Sequence, residues 1–288
     1  MPELPEVETV RRGLHDRIIG KVISSVTHDT PRSFPNDDSS VKEFLTGSTI
    51  IAVRRRAKVL MIDLSTAYSL VIHLKMTGQL VYDGKERFGA GHPSDSLVGT
   101  LPDRSTRVTL SFEDGSVLYF NDQRKFGWVR LMPTANISDL PFMRTVGPEP
   151  LEPWFTATQF AARLERHPKA NIKATLLNQT VIAGVGNIYA DESLWGAMIH
   201  PKRLTGSLKP EEVELLYSEI RSVMNLSIDK GGSSNHTYVN ADGKKGSYMD
   251  FARVFRRQGL PCPRCGTVIE KIRVAGRGTH ICPVCQQE

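Results

Sequence analysis

Residues 262–285 have the sequence CPRCGTVIEKIRVAGRGTHICPVC and contain all four cysteines of the 288-residue chain. The cysteines form two Cys-x2-Cys pairs with 16 residues between the pairs. Each pair can form a knuckle, and two knuckles close a tetrahedral thiolate site for zinc. A disulfide framework would instead be spread through a small secreted domain, which this chain is not. We therefore predict one structural Zn²⁺ bound by Cys262, Cys265, Cys282 and Cys285.

Between the knuckles, residues 269–281 alternate as a β-hairpin does, with the turn at Ala275-Gly276. Arg273 and Arg277 lie near its tip, where arginines suit phosphate contact or insertion into a minor groove. From Lys244 to Arg277 there are nine Lys or Arg and two acids, so this segment has a net charge of about +7, whereas the rest of the chain is near −1. Positive charge concentrated at one end indicates a polyanionic partner, although a solvated basic tail has the same composition.

Upstream of the cysteines the chain is predicted to be helical. The candidate helices are 156–166, 171–178, 188–197 and 210–229. The sequence GVGN at 184–187 precedes one of them, and glycines at a helix start allow backbone amides to approach a phosphate. Most short Gly-x-Gly runs are plain turns, so this motif is weak alone. Residues 133–153 contain five prolines and are predicted to be an interdomain linker.

The first 132 residues predict a helix followed by strands. Apolar residues at helical spacing indicate a helix over 6–18, and short β-rich runs from 21 to 132 indicate a sandwich or barrel. Residues 83–105 are rich in Gly, Pro, Asp and Ser and are predicted to be a long mobile loop. No stretch of 18 apolar residues and no secretory signal are present, so we expect a soluble intracellular protein.

The first residues, MPELPEVETV, place a proline second in the chain. Removal of Met1 would expose the secondary amine of Pro2, which can attack an aldehyde-like sugar carbon and form a cationic iminium. A terminal amine also loses its proton more easily than a lysine does. A chain terminus is normally frayed and without function, so this chemistry is one hypothesis among others.

The segments MPELPEVETVRRGL, HLKMTGQL, NDQRKFG and IKATLLNQTVIAGVGNIYADESLWGAMIHP, with the four cysteines, resemble the bacterial formamidopyrimidine-DNA glycosylases in the same order. The resemblance covers essentially the whole chain. It implies an α+β multidomain fold with an N-terminal β-sandwich carrying a helix, a helix-two-turn-helix domain and a zinc-ribbon hairpin. The expected boundaries are 1–132 for the catalytic domain, 133–153 for the linker, 154–247 for the helical domain and 248–288 for the zinc finger.

The resemblance also implies roles for individual residues. Pro2 would be the nucleophile and Glu3 the acid/base at the sugar, with Glu6 and Lys58 also catalytic. Glu6 can equally be a favourable helix-end charge, and Lys58 a solvated edge charge. A second set would contact DNA: Met76, Arg124 and Phe126 would fill the gap left by a flipped base, and Lys173, Asn187 and Arg277 would hold the backbone. Segment 231–248 would close over the damaged base.

Some positions depart from the family pattern and bear on affinity and lesion preference. Three single residues differ from those common in relatives: Gln123, Asn178 and His236. The segment DRSTRV at 103–108 stands where relatives have a Lys/His-rich segment, and the loop at 83–102 is longer than is usual in the family.

The expected function is a bifunctional glycosylase and lyase that removes oxidised purines from double-stranded DNA. We expect a monomer in the bacterial cytoplasm at the nucleoid, with no membrane partner. The alternatives are an endonuclease VIII-like enzyme for oxidised pyrimidines and a catalytically inactive DNA-binding zinc protein. PELPE and the Arg-x-Phe motif argue against the first, and retention of Pro2, Glu3 and Lys58 argues against the second.

Overall fold

The computed structural model describes residues 1–233 and 248–288 and divides them between two units. Unit 1 contains Met1–Arg144 with residues 231–233, and unit 2 contains Thr145–Lys230 and Tyr248–Glu288. The four-cysteine module therefore shares a unit with the helices. His236 and most of the predicted 231–248 loop lie outside the described residues. The predicted division of the chain at residues 132, 153 and 247 stays a prediction. Within residues 1–233 and 248–288, every helix is too short or too polar to cross a bilayer.

Unit 1 contains two antiparallel sheets. Their strands are β1 Ile23–His28, β2 Ile50–Arg56, β3 Val59–Leu64, β4 Tyr68–His73, β5 Gly78–Asp83, β6 Phe88–Gly91, β7 Thr106–Phe112, β8 Val117–Asp122 and β9 Trp128–Pro133. The first sheet has the strand order β1-β7-β8-β5-β6 and the second has the order β2-β3-β4-β9. Residues from both sheets form one apolar core, among them Ile62, Ile72, Leu80, Leu110 and Phe120. The predicted sandwich is confirmed.

Helix α1, Leu4–Ile18, packs its apolar stripe into this core. Val7, Val10, Leu14 and Ile18 are all at most 1% exposed, as their spacing predicts. The helix begins two residues earlier than predicted, because Pro5 suits the first turn and Glu3 and Glu6 form a capping box there. The observed end of the helix precedes Gly20, which has a left-handed φ of +80°.

The prediction of a mobile loop at 83–105 is wrong for its central part. Residues Phe88–Gly91 form β6, which pairs with β5, and Asp95–Leu97 form a 3-10 turn. The side-chain amide of Gln79 donates to Ser94 Oγ at 2.7 Å and to the His92 carbonyl. Composition indicated a loop, but the unpaired edge of β5 supplies hydrogen bonds that hold this segment as a strand.

Unit 2 contains helices and the cysteine hairpin. Two short helices lie earlier in the chain, α2 Asp38–Ser40 in unit 1 and α3 Pro141–Thr145 at the end of unit 1. The main helices are α4 Ala157–Leu164, α5 Ile172–Leu177, α6 Asn187–Gly196 and α7 Pro210–Asp229. All four lie within about two residues of the predicted bounds, as is usual for helix ends. Strands β10, Glu270–Val274, and β11, Arg277–Ile281, form the predicted hairpin.

Candidate functional site

The start of α1 places three of the predicted catalytic residues together. Pro2 is buried, and Glu3 and Glu6 are each 3% exposed. The Glu6 carboxylate accepts the Glu3 backbone amide at 2.7 Å through Oε2, while the Glu3 side chain accepts the Glu6 amide. Because each carboxylate fixes the other residue's backbone, the segment that follows Pro2 has one defined conformation rather than a frayed end.

The second oxygen of the Glu6 carboxylate binds a residue far away in the sequence. Glu6 Oε1 accepts hydrogen bonds from the backbone amide and the hydroxyl of Ser233, each at 2.8 Å. Gly232 precedes this contact with a φ of +86°, and a Cβ atom there would lie 3.3 Å from Glu6 Cγ. Within unit 1, Glu6 therefore joins the start of α1 to Ser233, a contact that a charge serving only the helix end would not need.

Lys58 lies in the two-residue turn between β2 and β3, and its side chain is 7% exposed. The neighbouring imidazole of His73 is half-buried, and its desolvation together with the positive charges of Lys75 and Lys58 lowers the pKa of His73 to about 3. His73 Nδ1 accepts the Lys75 amide at 3.0 Å. His73 is therefore neutral at physiological pH, and the positive charge of this region is carried by the lysines.

An ion-pair cluster anchors α1 next to the turn that carries Lys58. Glu8 receives guanidinium hydrogen bonds from Arg11 and Arg12 on α1 and from Arg55 on β2, at distances of 2.8 to 3.1 Å. Burial alone would raise the pKa of Glu8, but these arginines outweigh it and lower the pKa to about 2. Arg55 also donates to the Ala57 carbonyl at 3.0 Å, so the cluster extends into the turn itself.

Two further turns of unit 1 carry Met76, Arg124 and Phe126. Met76 is half-buried in the connection between β4 and β5, while Arg124 and Phe126 are exposed between β8 and β9. The guanidinium of Arg124 lies 4.8 Å from the centre of the Phe126 ring. An aromatic ring that is 39% exposed and covered by arginine is suited to stacking against a base.

A residue with left-handed backbone precedes a predicted site residue in each of these three turns. Ala57, Lys75 and Lys125 have φ values of +52°, +50° and +56°. The residues that follow them are Lys58, Met76 and Phe126. A non-glycine residue in this region is strained, and such strain is concentrated at functional sites.

In unit 2, α6 holds the cysteine hairpin. Asn187, the first residue of α6, donates from its side-chain amide to the Gly278 carbonyl at 3.0 Å. Lys173 is fully buried, and its Nζ lies 2.6 Å from Asp191 Oδ1 and 2.6 Å from Thr279 Oγ1. The other Asp191 oxygen accepts the His280 amide at 2.9 Å. These contacts fix the base of the hairpin.

The hairpin tip has the predicted turn, with left-handed Ala275 and Gly276, and Arg277 is exposed beside it. Sequence reasoning placed Lys173 among the DNA contacts. Its ammonium instead lies inside the protein, so an effect of Lys173 on DNA would act through the hairpin that carries Arg277.

The four cysteines form one cluster. Their sulfur atoms all lie within 4.8 Å of one another, and no pair forms a disulfide. Tetrahedral zinc–thiolate bonds of 2.3 Å require sulfur atoms about 3.8 Å apart, and the sulfurs of Cys262 and Cys285 are 4.0 Å apart and those of Cys265 and Cys282 are 3.4 Å apart. The donor set therefore fits a zinc ion with all four positions filled by protein.

Sequence reasoning missed several residues that complete these clusters. Each of four further residues forms a hydrogen bond to a turn or helix that carries a predicted site residue. They are Ser233, Asp122, Thr77 and Asp191. Only Asp122 had a local signal, since an aspartate followed by a turn commonly accepts the backbone amides beyond it.

Three family models match the chain. They describe the formamidopyrimidine-DNA glycosylase N-terminal domain, over residues 1–129, its H2TH domain, over 146–239, and a zinc finger found in FPG and IleRS, over 259–287. A formamidopyrimidine-DNA glycosylase from Pediococcus pentosaceus is 42% identical over 287 residues, which are 99% of each chain.

Solved structures of the Lactococcus lactis enzyme are similar over the full length. A complex of a variant with Fapy-dG containing DNA is 38% identical, covers 100% of both chains and has a TM-score of 0.86. A complex with AP site containing DNA is 37% identical, covers 99% of this chain and 100% of that one, and has the same TM-score.

Proposed function

The chain belongs to the formamidopyrimidine-DNA glycosylase family of DNA-repair enzymes, and from this premise we propose that it excises oxidised purines from double-stranded DNA and then cleaves the strand. The substrates would be 8-oxoguanine and formamidopyrimidines, and abasic sites would be cleaved directly. The complexes of similar proteins with Fapy-dG and abasic DNA support this substrate class. The observation that carries the proposal is the start of α1, where Pro2 and Glu3 are buried and Glu3 and Glu6 cap each other.

The proposed first step uses the amine of Pro2 after removal of Met1. Its lone pair forms a bond to C1′ of the damaged nucleotide, and the electrons of the glycosidic bond leave with the base. The nitrogen loses its proton and the departing base takes one up, so the proton count balances. Glu3 protonates the ring oxygen as the sugar opens, and an iminium cation remains at C1′. The hydrogen bond from the Glu3 amide to Glu6 supports this role, since it fixes the backbone conformation of the residue that follows Pro2.

The iminium then makes strand cleavage possible because it accepts electrons. Loss of the C2′ proton sends an electron pair towards the iminium nitrogen, and β-elimination releases the 3′ phosphate. A second, δ-elimination releases the 5′ phosphate, which leaves a one-nucleotide gap with phosphates on both sides. Hydrolysis of the sugar fragment regenerates the amine. Lys58 adds positive charge near the start of α1, which favours the approach of phosphates.

Two other sets of residues would bind the DNA. Met76, Arg124 and Phe126 would enter the gap left by the flipped base, with Arg124 pairing with the orphaned cytosine. Asn187 and Arg277 would contact the backbone, and Lys173 would support the hairpin. Zn²⁺ would be structural, because four thiolates leave no position for a reacting water. We further propose that the protein works as a monomer at the bacterial nucleoid, where its substrate is located.

The test is borohydride trapping of a covalent protein–DNA adduct on an 8-oxoguanine duplex. An extra residue before Pro2 converts its nitrogen into an amide and should abolish base excision and trapping. Pro2→Gly keeps an amine and should retain weak activity. Pro5→Ala is the matched control in the same helix turn and should trap as the wild type does. Undiminished trapping by the blocked protein would identify a lysine nucleophile, Lys58 first, and end the N-terminal mechanism.

The same assay separates the alternative functions. A duplex with dihydrouracil that is excised faster than one with 8-oxoguanine would indicate an endonuclease VIII-like preference. Binding without any trapped adduct would indicate a DNA-binding protein without catalysis.

A further inference from the structure

The carboxylate of Asp122 ends β8 and is 0% exposed, yet it has no part in the mechanism above. Its Oδ2 accepts the backbone amides of Phe126 at 2.8 Å and Gly127 at 2.6 Å. Its Oδ1 accepts the backbone amide of Arg124 at 3.1 Å and the hydroxyl of Thr77. One buried carboxylate therefore fixes the backbone on which Arg124 and Phe126 are displayed, through charge-assisted hydrogen bonds.

Thr77 joins this turn to the turn that carries Met76. Its hydroxyl donates to Asp122 and accepts the Arg124 amide at 3.0 Å, and it directly follows Met76 in the chain. The Arg124 amide is thus shared between Thr77 and Asp122. A displacement of either turn would break a hydrogen bond that the other turn needs.

Two glycines allow the backbones in these turns to pack closely. A Cβ atom on Gly127 would lie 2.6 Å from the Phe120 ring and 3.1 Å from Asp122 Oδ2. A Cβ atom on Gly78 would lie 2.3 Å from the Leu74 carbonyl oxygen. The distances of 2.6 and 2.3 Å are shorter than a Cβ atom can approach, so neither glycine can be replaced without a shift of the atoms around it.

We propose that Thr77 and Asp122 are positioning residues that hold the Met76 turn and the Arg124–Phe126 turn in one fixed relation, and that this relation determines how the enzyme discriminates the base opposite the lesion. The inference rests on the proposed function, in which these side chains fill the gap and Arg124 reads the opposite base. Arg124 can distinguish cytosine from adenine only if its backbone is held still while Met76 occupies the gap.

The test compares Thr77→Val, which removes the hydroxyl, with Thr77→Ser, which keeps it. The measured quantity is the ratio of kcat/KM for 8-oxoguanine opposite cytosine to that opposite adenine. Thr77→Val should lower this ratio by roughly fivefold, the value of one hydrogen bond, and Thr77→Ser should restore it. Thr106→Val is the matched control, because Thr106 donates to Asn121, the neighbour of Asp122, at 2.9 Å. It should leave the ratio unchanged.

A single-stranded abasic oligonucleotide separates positioning from general damage to the enzyme, since it has no opposite base. Thr77→Val should form the trapped adduct with it at the wild-type rate. If Thr77→Val does not fold, Thr77→Ala serves in the same comparison. A folded variant with an unchanged ratio, or an equal loss in Thr77→Ser and Thr106→Val, overturns the inference. A wild-type protein that excises nothing from either duplex overturns the proposed function instead.

Discussion

The ion pair between Lys173 and Asp191 is buried in unit 2, so we expect its loss to lower the stability of that unit. Both side chains are completely buried, with 2.6 Å between Nζ and Oδ1. Lys173→Met keeps most of the length of the side chain and removes the charge, so the Asp191 carboxylate remains in the interior without the ammonium and, among the described residues, retains only its contacts with His280. The predicted result is a large loss of stability confined to unit 2.

The magnitude follows from the cost of an uncompensated buried charge. Removal of one partner from a buried ion pair destabilises a protein by about 3–5 kcal/mol. For a unit of roughly 130 residues, this loss corresponds to a fall in Tm of about 10–20 °C. Addition of Asp191→Asn should recover part of the loss, because the double variant buries no net charge.

The assay is urea unfolding followed by tryptophan fluorescence in a Trp128→Phe background. The remaining tryptophans, Trp154 and Trp195, both belong to unit 2. Lys202→Met is the matched control, since Lys202 pairs with Glu288 at 3.2 Å on the surface, where both side chains are about half exposed. Lys202→Met should lower the free energy of unfolding by less than about 1 kcal/mol.

An equally small cost for Lys173→Met would refute the reasoning. The reasoning would also be refuted if the double variant lost more free energy of unfolding than the two single variants lose together. DNA binding supplies an independent check. If Lys173 contacted a phosphate directly, Lys173→Met would reduce the salt dependence of DNA affinity by about one ion. If Lys173 only supports the hairpin, the substitution should leave this slope unchanged.

Three further predictions concern the metal, the DNA contact and pH. Metal analysis should find about one zinc per chain, and Cys265→Ser should abolish it and shift the fluorescence of Trp195, which packs against the cysteines; an unchanged spectrum in a metal-free protein would contradict this. Arg277→Ala should weaken damaged and undamaged duplexes alike in titrations, as a phosphate contact does; a change in lesion preference would make Arg277 a base reader. The lowered pKa of His73 means that the unfolded chain binds more protons than the folded chain, so stability should fall as the pH drops below 6.5, by about 1.4 kcal/mol per unit. His73→Gln should flatten this dependence in urea titrations at pH 7 and 5, and an equal slope in both proteins would disprove the assignment.

The elements that could be predicted from the sequence are those with local causes. Helices α1 and α7 could be predicted because their apolar residues recur at helical spacing. The hairpin could be predicted because the Ala275-Gly276 turn lies between its two strands. The structure confirms all three elements. The cysteine cluster follows from spacing alone, since a knuckle needs only its own four residues. Strand β6 was missed because its sequence, FGAG, contains one residue that favours strands, and its pairing depends on the edge of β5.

The candidate site was predictable only in part, because its supporting contacts join distant segments. Thr77 and Asp122 are separated by 45 residues, and Glu6 and Ser233 by 227. No pattern within a single segment indicates such a pair. The buried state of Lys173 also depends on Thr279, which lies 106 residues away. The roles of Pro2 and Met76 came from the family resemblance rather than from their local sequence.

The three turns that carry Lys58, Met76 and Phe126 each contain a residue with left-handed backbone, which lowers the stability of the fold. Glycine at Ala57, Lys75 or Lys125 would relieve about 1–2 kcal/mol of strain at each position. The same glycine would let the turn adopt other conformations and would release the side chain that follows it. Under the proposed function, a glycine at these three positions would raise stability and lower repair activity, so selection for the two properties would act in opposite directions. Substitutions that aim to raise the thermal stability of the protein should therefore leave these three positions unchanged and be made elsewhere in the sheets.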